Sequence, residues 1–169
     1  SMSRAIYLAN ILGVDMGMYY KRLDYSKNIG GRHPVAAYEF LGPNVAGKDM
    51  ILIDDMISSG ETILKIASLL KERGAGRIYL CSTFGLFTDN LKKFDEAHAA
   101  GVFDKLLTTN MVYQSDELLS KPYYISCDMS KYIALIIDTL NHDMSVSHLL
   151  NPVDRIKRCV NNYMAQYEK

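Results

Sequence analysis

The stretch ILIDDMISSGETILKIASLLKERGAG, residues 51–76, decides the fold of this 169-residue chain. It begins as a short apolar strand, continues through two adjacent acids and a small polar loop, and becomes an amphipathic segment. Apolar residues from Ile63 to Leu70 recur at helical spacing on one face, and Gly74 stands where a helix ends in the left-handed conformation. This order of strand, loop and helix predicts one unit of an α/β fold.

The rest of the chain repeats this alternation of short apolar runs and longer segments with helical periodicity. The pattern is typical of an α/β fold, a mainly parallel sheet flanked by helices. The predicted strands are 14–20, 50–53, 78–83, 105–109 and 123–127, with a weaker candidate at 34–40 that could be antiparallel. The further predicted helices are 4–12, 89–100, 129–141 and 152–167. Segment 21–32 combines basic residues with a Gly-Gly pair and has no hydrophobic period, which predicts a mobile basic loop.

Length and composition limit the classes of function. At 169 residues and 49% hydrophobic content, the chain is long enough for one domain with its own core. Nineteen basic residues balance nineteen acidic ones, so the overall charge favours neither nucleic acid nor a membrane surface as a partner. No segment reaches the roughly 20 apolar residues of a membrane-spanning helix. Three widely spaced cysteines argue against a disulfide framework and favour the reducing cytoplasm as the location.

Two adjacent acids, Asp54 and Asp55, follow the predicted strand 50–53. In parallel α/β folds this edge of the sheet is where ligands bind. Each carboxylate can accept a hydrogen bond from a neighbouring hydroxyl, which suits the vicinal diol of a ribose. The alternative is that both are solvated turn residues, and the dipeptide alone leaves both interpretations open.

The loop that follows opens the predicted helix, and it also has two interpretations. A glycine-containing turn at a helix amino terminus directs backbone N–H groups and the positive end of the helix dipole outward, where they can bind a phosphate. However, Ser58 and Glu61 also have the spacing of a capping box, in which the two side chains satisfy those amides themselves. Glu61 would repel a phosphate if its carboxylate turned inward.

The order of strand, two acids, spacer and hydroxyl–glycine loop resembles the phosphoribosyl-binding motif of type I phosphoribosyltransferase folds. The matching tetrad is Ser59-Gly60-Glu61-Thr62, in which Glu61 stands where the motif has glycine. The stretches SRAIYLANILGVDMGMYYKR, GKDMILIDDMISSGETI and HDMSVSHLL resemble the carboxyl-terminal half of the ribose-phosphate pyrophosphokinase family. The resemblance implies a phosphoribosyltransferase-like domain at 3–150, followed by a helical extension at 151–169.

This resemblance implies a reaction and a set of site residues. The anomeric hydroxyl of ribose 5-phosphate would attack the β phosphorus of magnesium-bound ATP, giving phosphoribosyl pyrophosphate and AMP. Asp54 and Asp55 would bind the ribose hydroxyls. The 5-phosphate would be held by the loop residues Ser58 (through its amide), Ser59, Gly60 and Thr62.

Lys21 and Arg22 match the start of the family's basic catalytic loop, which closes over ATP and neutralises charge on the transferred group. The alternative is an ordinary solvated loop. Leu23 follows where the family often has a further arginine, so Lys27 or Arg32 would have to supply that cation.

Other residues receive no role. The segment 81–85 has Phe84 where many relatives have histidine, so we assign it no catalytic function. The four histidines lack the paired spacing of a metal site, and no metal ligand is assigned.

The family builds its adenine pocket and much of its ATP–magnesium site from an amino-terminal half. We therefore expect this chain to bind ribose 5-phosphate but to need that half, and ATP, for catalysis. The resemblance also implies homo-oligomers of the complete protein. Two alternatives stay open: a non-catalytic regulatory module that binds phosphoribosyl pyrophosphate, which Glu61 favours, and a stand-alone phosphoribosyltransferase.

Overall fold

The computed structural model describes residues 2–23, 26 and 35–167. The strands are β1 (Met18–Leu23), β2 (Val35–Leu41), β3 (Met50–Ile57), β4 (Ile78–Gly85), β5 (Lys105–Thr109) and β6 (Tyr124–Cys127). The helices are α1 (Met2–Leu12), α2 (Glu61–Glu72), α3 (Lys92–Ala99), α4 (Asp116–Leu119), α5 (Ser130–Asn141), α6 (Ser147–Leu150) and α7 (Val153–Tyr167). Among the described helices, none has the length and apolar content that a bilayer crossing requires.

The main sheet has four parallel strands in the order β3-β4-β5-β6. One row across it joins Leu52, Leu80, Leu106 and Tyr124 as successive neighbours, and the last three side chains are buried. Helices alternate with these strands along the chain, so the predicted α/β class with a parallel sheet is confirmed. In this sheet β3 is an edge strand.

The two strands before β3 form a separate antiparallel pair, β1 with β2. The weak antiparallel candidate at 34–40 is therefore confirmed within one residue. The predicted strand 14–20 lies too early, because β1 runs to Leu23 and includes Lys21 and Arg22. The prediction that a loop begins at residue 21 is thus wrong for 21–23. A polar segment on a two-stranded ribbon has no hydrophobic period, so the sequence pattern did not indicate a strand here. Across the two strands, Arg22 Nε lies 3.0 Å from Glu39 Oε1. Residues 24–25 and 27–32 of that prediction lie outside the described residues.

Helix α2 forms as predicted, because its apolar stripe is buried against the sheet: Ile63, Leu64, Ala67 and Leu70. It ends at Glu72, and Gly74 follows with a φ of 83° that favours glycine and an amide that bonds to the Lys71 carbonyl at 2.8 Å. Helices α5 and α7 also lie within one residue of their predicted bounds. Helix α7 contacts α1, and the domain boundary after residue 150 stays a prediction.

The two strands that carry the predicted site are longer than expected. Strand β3 continues from residue 53 to Ile57, because parallel pairing with β4 extends to Ile57 and Gly85. Asp54 and Asp55 therefore lie within a strand, and the interpretation as turn residues is wrong.

An aromatic cluster forms the centre of the core beneath the segment that connects β4 to α3. Phe94, Phe103 and Tyr123 are buried, and Phe94 meets Phe87 edge-on with ring centroids 5.3 Å apart. Such packing gives α3 a defined position beside the loop between β3 and α2.

Candidate functional site

The two acids of β3 have different surroundings. Their side chains leave opposite faces of the strand, as successive strand residues do. Asp54 Oδ1 accepts a hydrogen bond from the Asp55 amide at 2.8 Å. Asp55 Oδ1 lies 3.1 Å from Arg4 Nη1, and about half of each of these two side chains is exposed. A carboxylate oxygen can accept more than one hydrogen bond, so this residue type suits a ligand hydroxyl.

Arg4 is a residue that the sequence analysis missed. Its Nη1 atom also donates to Thr83 Oγ1 at 2.8 Å, so one guanidinium connects α1, β3 and β4 at the carboxyl edge of the sheet. The sequence showed this arginine only as part of a predicted helix, because the contact spans 79 positions of the chain.

The loop from Ser58 to Thr62 does not form a capping box. Helix α2 has Gly60 as its N-cap, with a φ of 82° and no capping side chain. The Ser58 hydroxyl instead lies 3.2 Å from the Thr88 hydroxyl, and the Glu61 amide lies 3.5 Å from Ser59 Oγ. The capping interpretation is thus wrong, because both side chains that it needs are bonded elsewhere. The positive end of the α2 dipole lies at this loop, where it favours an anion.

The segment after β4 makes backbone hydrogen bonds to the start of this loop. The amides of Leu86 and Thr88 donate to the carbonyls of Ile57 and Ser58 at 2.8 and 3.1 Å. Gly60 lies directly on the Phe94 ring, where an added Cβ would be 2.3 Å from a ring carbon. Close approach of the backbone to a buried ring requires glycine here as much as the positive φ does.

Lys93 connects the loop to α3. Its Nζ donates to Glu61 Oε1 at 2.9 Å and to Asp89 Oδ2 at 2.8 Å. These bonds, first to Asp89 and then to Glu61, raise the pKa of the Lys93 ammonium above its usual value. Sequence reasoning assigned Lys93 no role, because nothing in the local pattern of α3 indicates a partner 32 residues away.

Of the predicted basic residues, Arg22 has a side-chain partner outside the loop. Lys21 and Arg22 are on β1, and Arg22 pairs with Glu39 of β2 rather than with a residue of β3 or α2. Lys27 and Arg32 lie outside the described residues. The side-chain contacts thus join Arg4 to Asp55 and Lys93 to the loop, while Arg22 pairs with β2.

In the described part of the chain, no cluster of three His, Cys, Asp or Glu side chains could hold a metal ion. His98 stacks beside Phe103 and Tyr123, with centroids 5.5 and 4.9 Å away. This histidine is therefore part of the aromatic packing.

The parallel sheet and its loop define a class of fold. A crystal structure of phosphoribosylpyrophosphate synthetase from Mycobacterium smegmatis has a similar fold, with a TM-score of 0.56 and 24% sequence identity. The similarity covers 68% of this chain and 38% of that one. The predicted phosphoribosyltransferase-like, α/β architecture is thus shared with a synthetase of this type.

Family membership follows from the sequence match. Residues 35–151 match the phosphoribosyl synthetase-associated domain, and the chain belongs to this family. It is 31% identical over 145 residues to the ribose-phosphate pyrophosphokinase of Pasteurella multocida, covering 85% of this chain and 43% of that protein. Against the ribose-phosphate pyrophosphokinase of Vibrio parahaemolyticus it is 30% identical over 112 residues, covering 64% and 33%. The chain thus spans less than half the length of these relatives.

Proposed function

We propose that this chain forms the ribose 5-phosphate-binding part of a ribose-phosphate diphosphokinase. The observation that carries the proposal is that α2 begins at a glycine N-cap, Gly60, shortly after the strand that bears Asp54 and Asp55. A phosphate bound at that helix terminus would place its sugar near the end of the strand that bears the two carboxylates. Membership of the phosphoribosyl synthetase-associated family supports the same assignment.

The proposed reaction is a diphosphoryl transfer. The anomeric hydroxyl of ribose 5-phosphate attacks the β phosphorus of ATP, and the bond from that phosphorus to the α-phosphate oxygen breaks. AMP leaves, the anomeric oxygen loses its proton, and phosphoribosyl pyrophosphate forms. Magnesium enters with ATP as part of the substrate. The protein forms no covalent bond, so positioning and charge stabilisation supply the catalysis.

Each predicted residue has one task in this scheme. Asp54 and Asp55 accept hydrogen bonds from the ribose hydroxyls and so fix the orientation of the sugar ring. Lys21 and Arg22 stabilise negative charge on the transferred group. The 5-phosphate is held by the loop residues Ser58, Ser59, Gly60 and Thr62.

We assign the ATP site to the remainder of a complete enzyme, because this chain covers only 43% and 33% of the Pasteurella and Vibrio relatives. Homo-oligomers and a cytoplasmic location belong to the same proposal.

Calorimetric titration with ribose 5-phosphate tests the sugar-phosphate site. The unmodified chain should bind, and the Asp54→Ala/Asp55→Ala variant should lose at least about tenfold in affinity, since each lost charged hydrogen bond contributes roughly 1.5–3 kcal/mol. The Asp138→Ala/Asp154→Ala variant removes the same charge from α5 and α7 and should bind normally. Equal affinities for all three proteins would refute the ribose assignment.

A second candidate is a regulatory module that binds phosphoribosyl pyrophosphate without turnover. Glu61 favours it, because an acid stands in the loop where the motif has glycine. A complete protein containing this chain should release AMP from ATP if it is the synthetase. Binding of phosphoribosyl pyrophosphate with no AMP release would instead establish the regulatory function. Release of pyrophosphate from phosphoribosyl pyrophosphate in the presence of a base would indicate a transferase.

A further inference from the structure

Glu61 lies inside the loop that is proposed to hold phosphate, yet its carboxylate is directed to α3. Lys93 Nζ donates to Glu61 Oε1 at 2.9 Å. The Glu61 side chain is 71% exposed and that of Lys93 40% exposed, so the pair lies at the surface beside the loop. An exposed carboxylate has other rotamers available unless a partner holds it.

The orientation of Glu61 matters because a carboxylate is the natural competitor of phosphate at a helix amino terminus. The first turn of a helix favours any negative group, and a side-chain carboxylate at this position can accept from the same backbone donors. An inward-facing Glu61 would both occupy those donors and repel a phosphate dianion. The contact with Lys93 removes both effects.

The position of Lys93 relative to the loop is set by core packing. The next residue, Phe94, is fully buried and touches the Gly60 backbone. In the segment before α3, the Thr88 amide donates to the Ser58 carbonyl at 3.1 Å. Asp89 holds the Lys93 ammonium from the other side at 2.8 Å. The ammonium is therefore attached to the same framework that shapes the loop.

We propose that Lys93 is a positioning residue that keeps the Glu61 carboxylate out of the phosphate-binding position. This inference rests on the proposed function and explains how a loop with an acid in place of glycine can still bind a phosphorylated sugar. A glycine at position 61, as in the motif, would need no such partner.

The experiment compares five proteins and one control by backbone amide NMR shifts of residues 58–62 during titration with ribose 5-phosphate and, separately, with inorganic phosphate. They are the unmodified chain, Lys93→Gln, Glu61→Gln, the Lys93→Gln/Glu61→Gln double variant and Lys93→Arg. Lys92→Gln is the matched control, because the neighbouring Lys92 is exposed on the same helix and pairs with Glu96 at 3.8 Å instead.

Lys93→Gln should weaken the binding of both ligands about fivefold, the size expected for one exposed charge. The double variant should bind at least as well as the unmodified chain, because no carboxylate remains to turn inward. Lys93→Arg should retain most of the affinity, and Lys92→Gln should retain all of it. Rescue by Glu61→Gln is the decisive readout, since removal of a second side chain does not repair damaged packing.

Unchanged affinity in Lys93→Gln, or a double variant as weak as Lys93→Gln alone, would overturn the inference. A phosphate response that depends on Lys93 through Glu61, with no response to ribose 5-phosphate, would remove the proposed function and support this inference. Absence of both responses in the unmodified chain would overturn both.

Discussion

Arg4 of α1 and Asp55 of β3 form an ion pair, with Nη1 and Oδ1 3.1 Å apart, at the edge of the sheet where the sugar is proposed to bind. Because Arg4 also donates to Thr83 at 2.8 Å, it orients the Asp55 carboxylate toward β4. Part of the proposed site is therefore held in place by the first helix of the chain rather than by the loop itself.

Replacing Arg4 with glutamine should weaken ribose 5-phosphate binding about threefold, which is the usual size for one exposed ion pair. The effect should shrink at high salt, because the Debye length falls to about 3 Å at 1 M. Arg158→Gln, on the exposed surface of α7, serves as the control in the same calorimetric titration. Stronger binding by Arg4→Gln would show that the arginine competes with the sugar for Asp55.

Gly60→Ala should lower the free energy of unfolding by roughly 2–4 kcal/mol, combining the strain of a positive φ with a Cβ pushed into a packed ring. Gly47 has a similar φ of 72° but open space around the added Cβ, so Gly47→Ala should cost only about 1 kcal/mol. Urea denaturation of both variants measures the difference. Equal losses would show that contact with Phe94 does not constrain the loop.

Asp95 should contribute to stability only above acidic pH. Its pKa is lowered chiefly by the hydrogen bond from Lys121 Nζ at 2.7 Å, with a further one from the Tyr123 hydroxyl at 2.7 Å. A carboxyl whose folded pKa is depressed stabilises the fold above its unfolded pKa, here 3.8, and loses that contribution as the pH falls through the folded value.

Asp95→Asn should accordingly be less stable than the unmodified chain near neutral pH, and the gap should narrow from about pH 5 downward. Thermal denaturation at several pH values gives the measurement. Asp143→Asn is the control, since Asp143 has a φ of 52° that asparagine also tolerates. A stability difference between the two proteins that stays constant with pH would exclude the ion pair as its cause.

The three cysteines should differ in reactivity. Burial, with a smaller contribution from Cys127, raises the pKa of the Cys81 thiol to about 11, whereas Cys159 is exposed on α7. At about pH 8 only about 0.1% of Cys81 would be thiolate, the reactive form. Titration with an aromatic disulfide reagent should show one fast thiol, which Cys159→Ser removes. Fast reaction of Cys81 in the native protein would contradict its burial.

Local pattern was enough for the elements whose reasons are local. The apolar stripe of α2 and the glycine that ends it are encoded within one short stretch, and both were predicted correctly. The same holds for the alternation of strands and helices that defines the parallel sheet, because strand and helix periods are properties of neighbouring residues. The order of two acids and a hydroxyl–glycine loop also predicted a place for the site, and that assignment stays a prediction.

Contacts between distant residues decided the rest. The capping box was a sound local alternative, yet Ser58 bonds to Thr88 and Glu61 to Lys93, because packing of Phe94 beneath Gly60 brings α3 alongside the loop. Extension of β3 through Asp54 and Asp55 likewise depends on a partner strand. Long-range pairing leaves no periodic trace in a sequence, so the partners of these acids became visible only when the chain was folded.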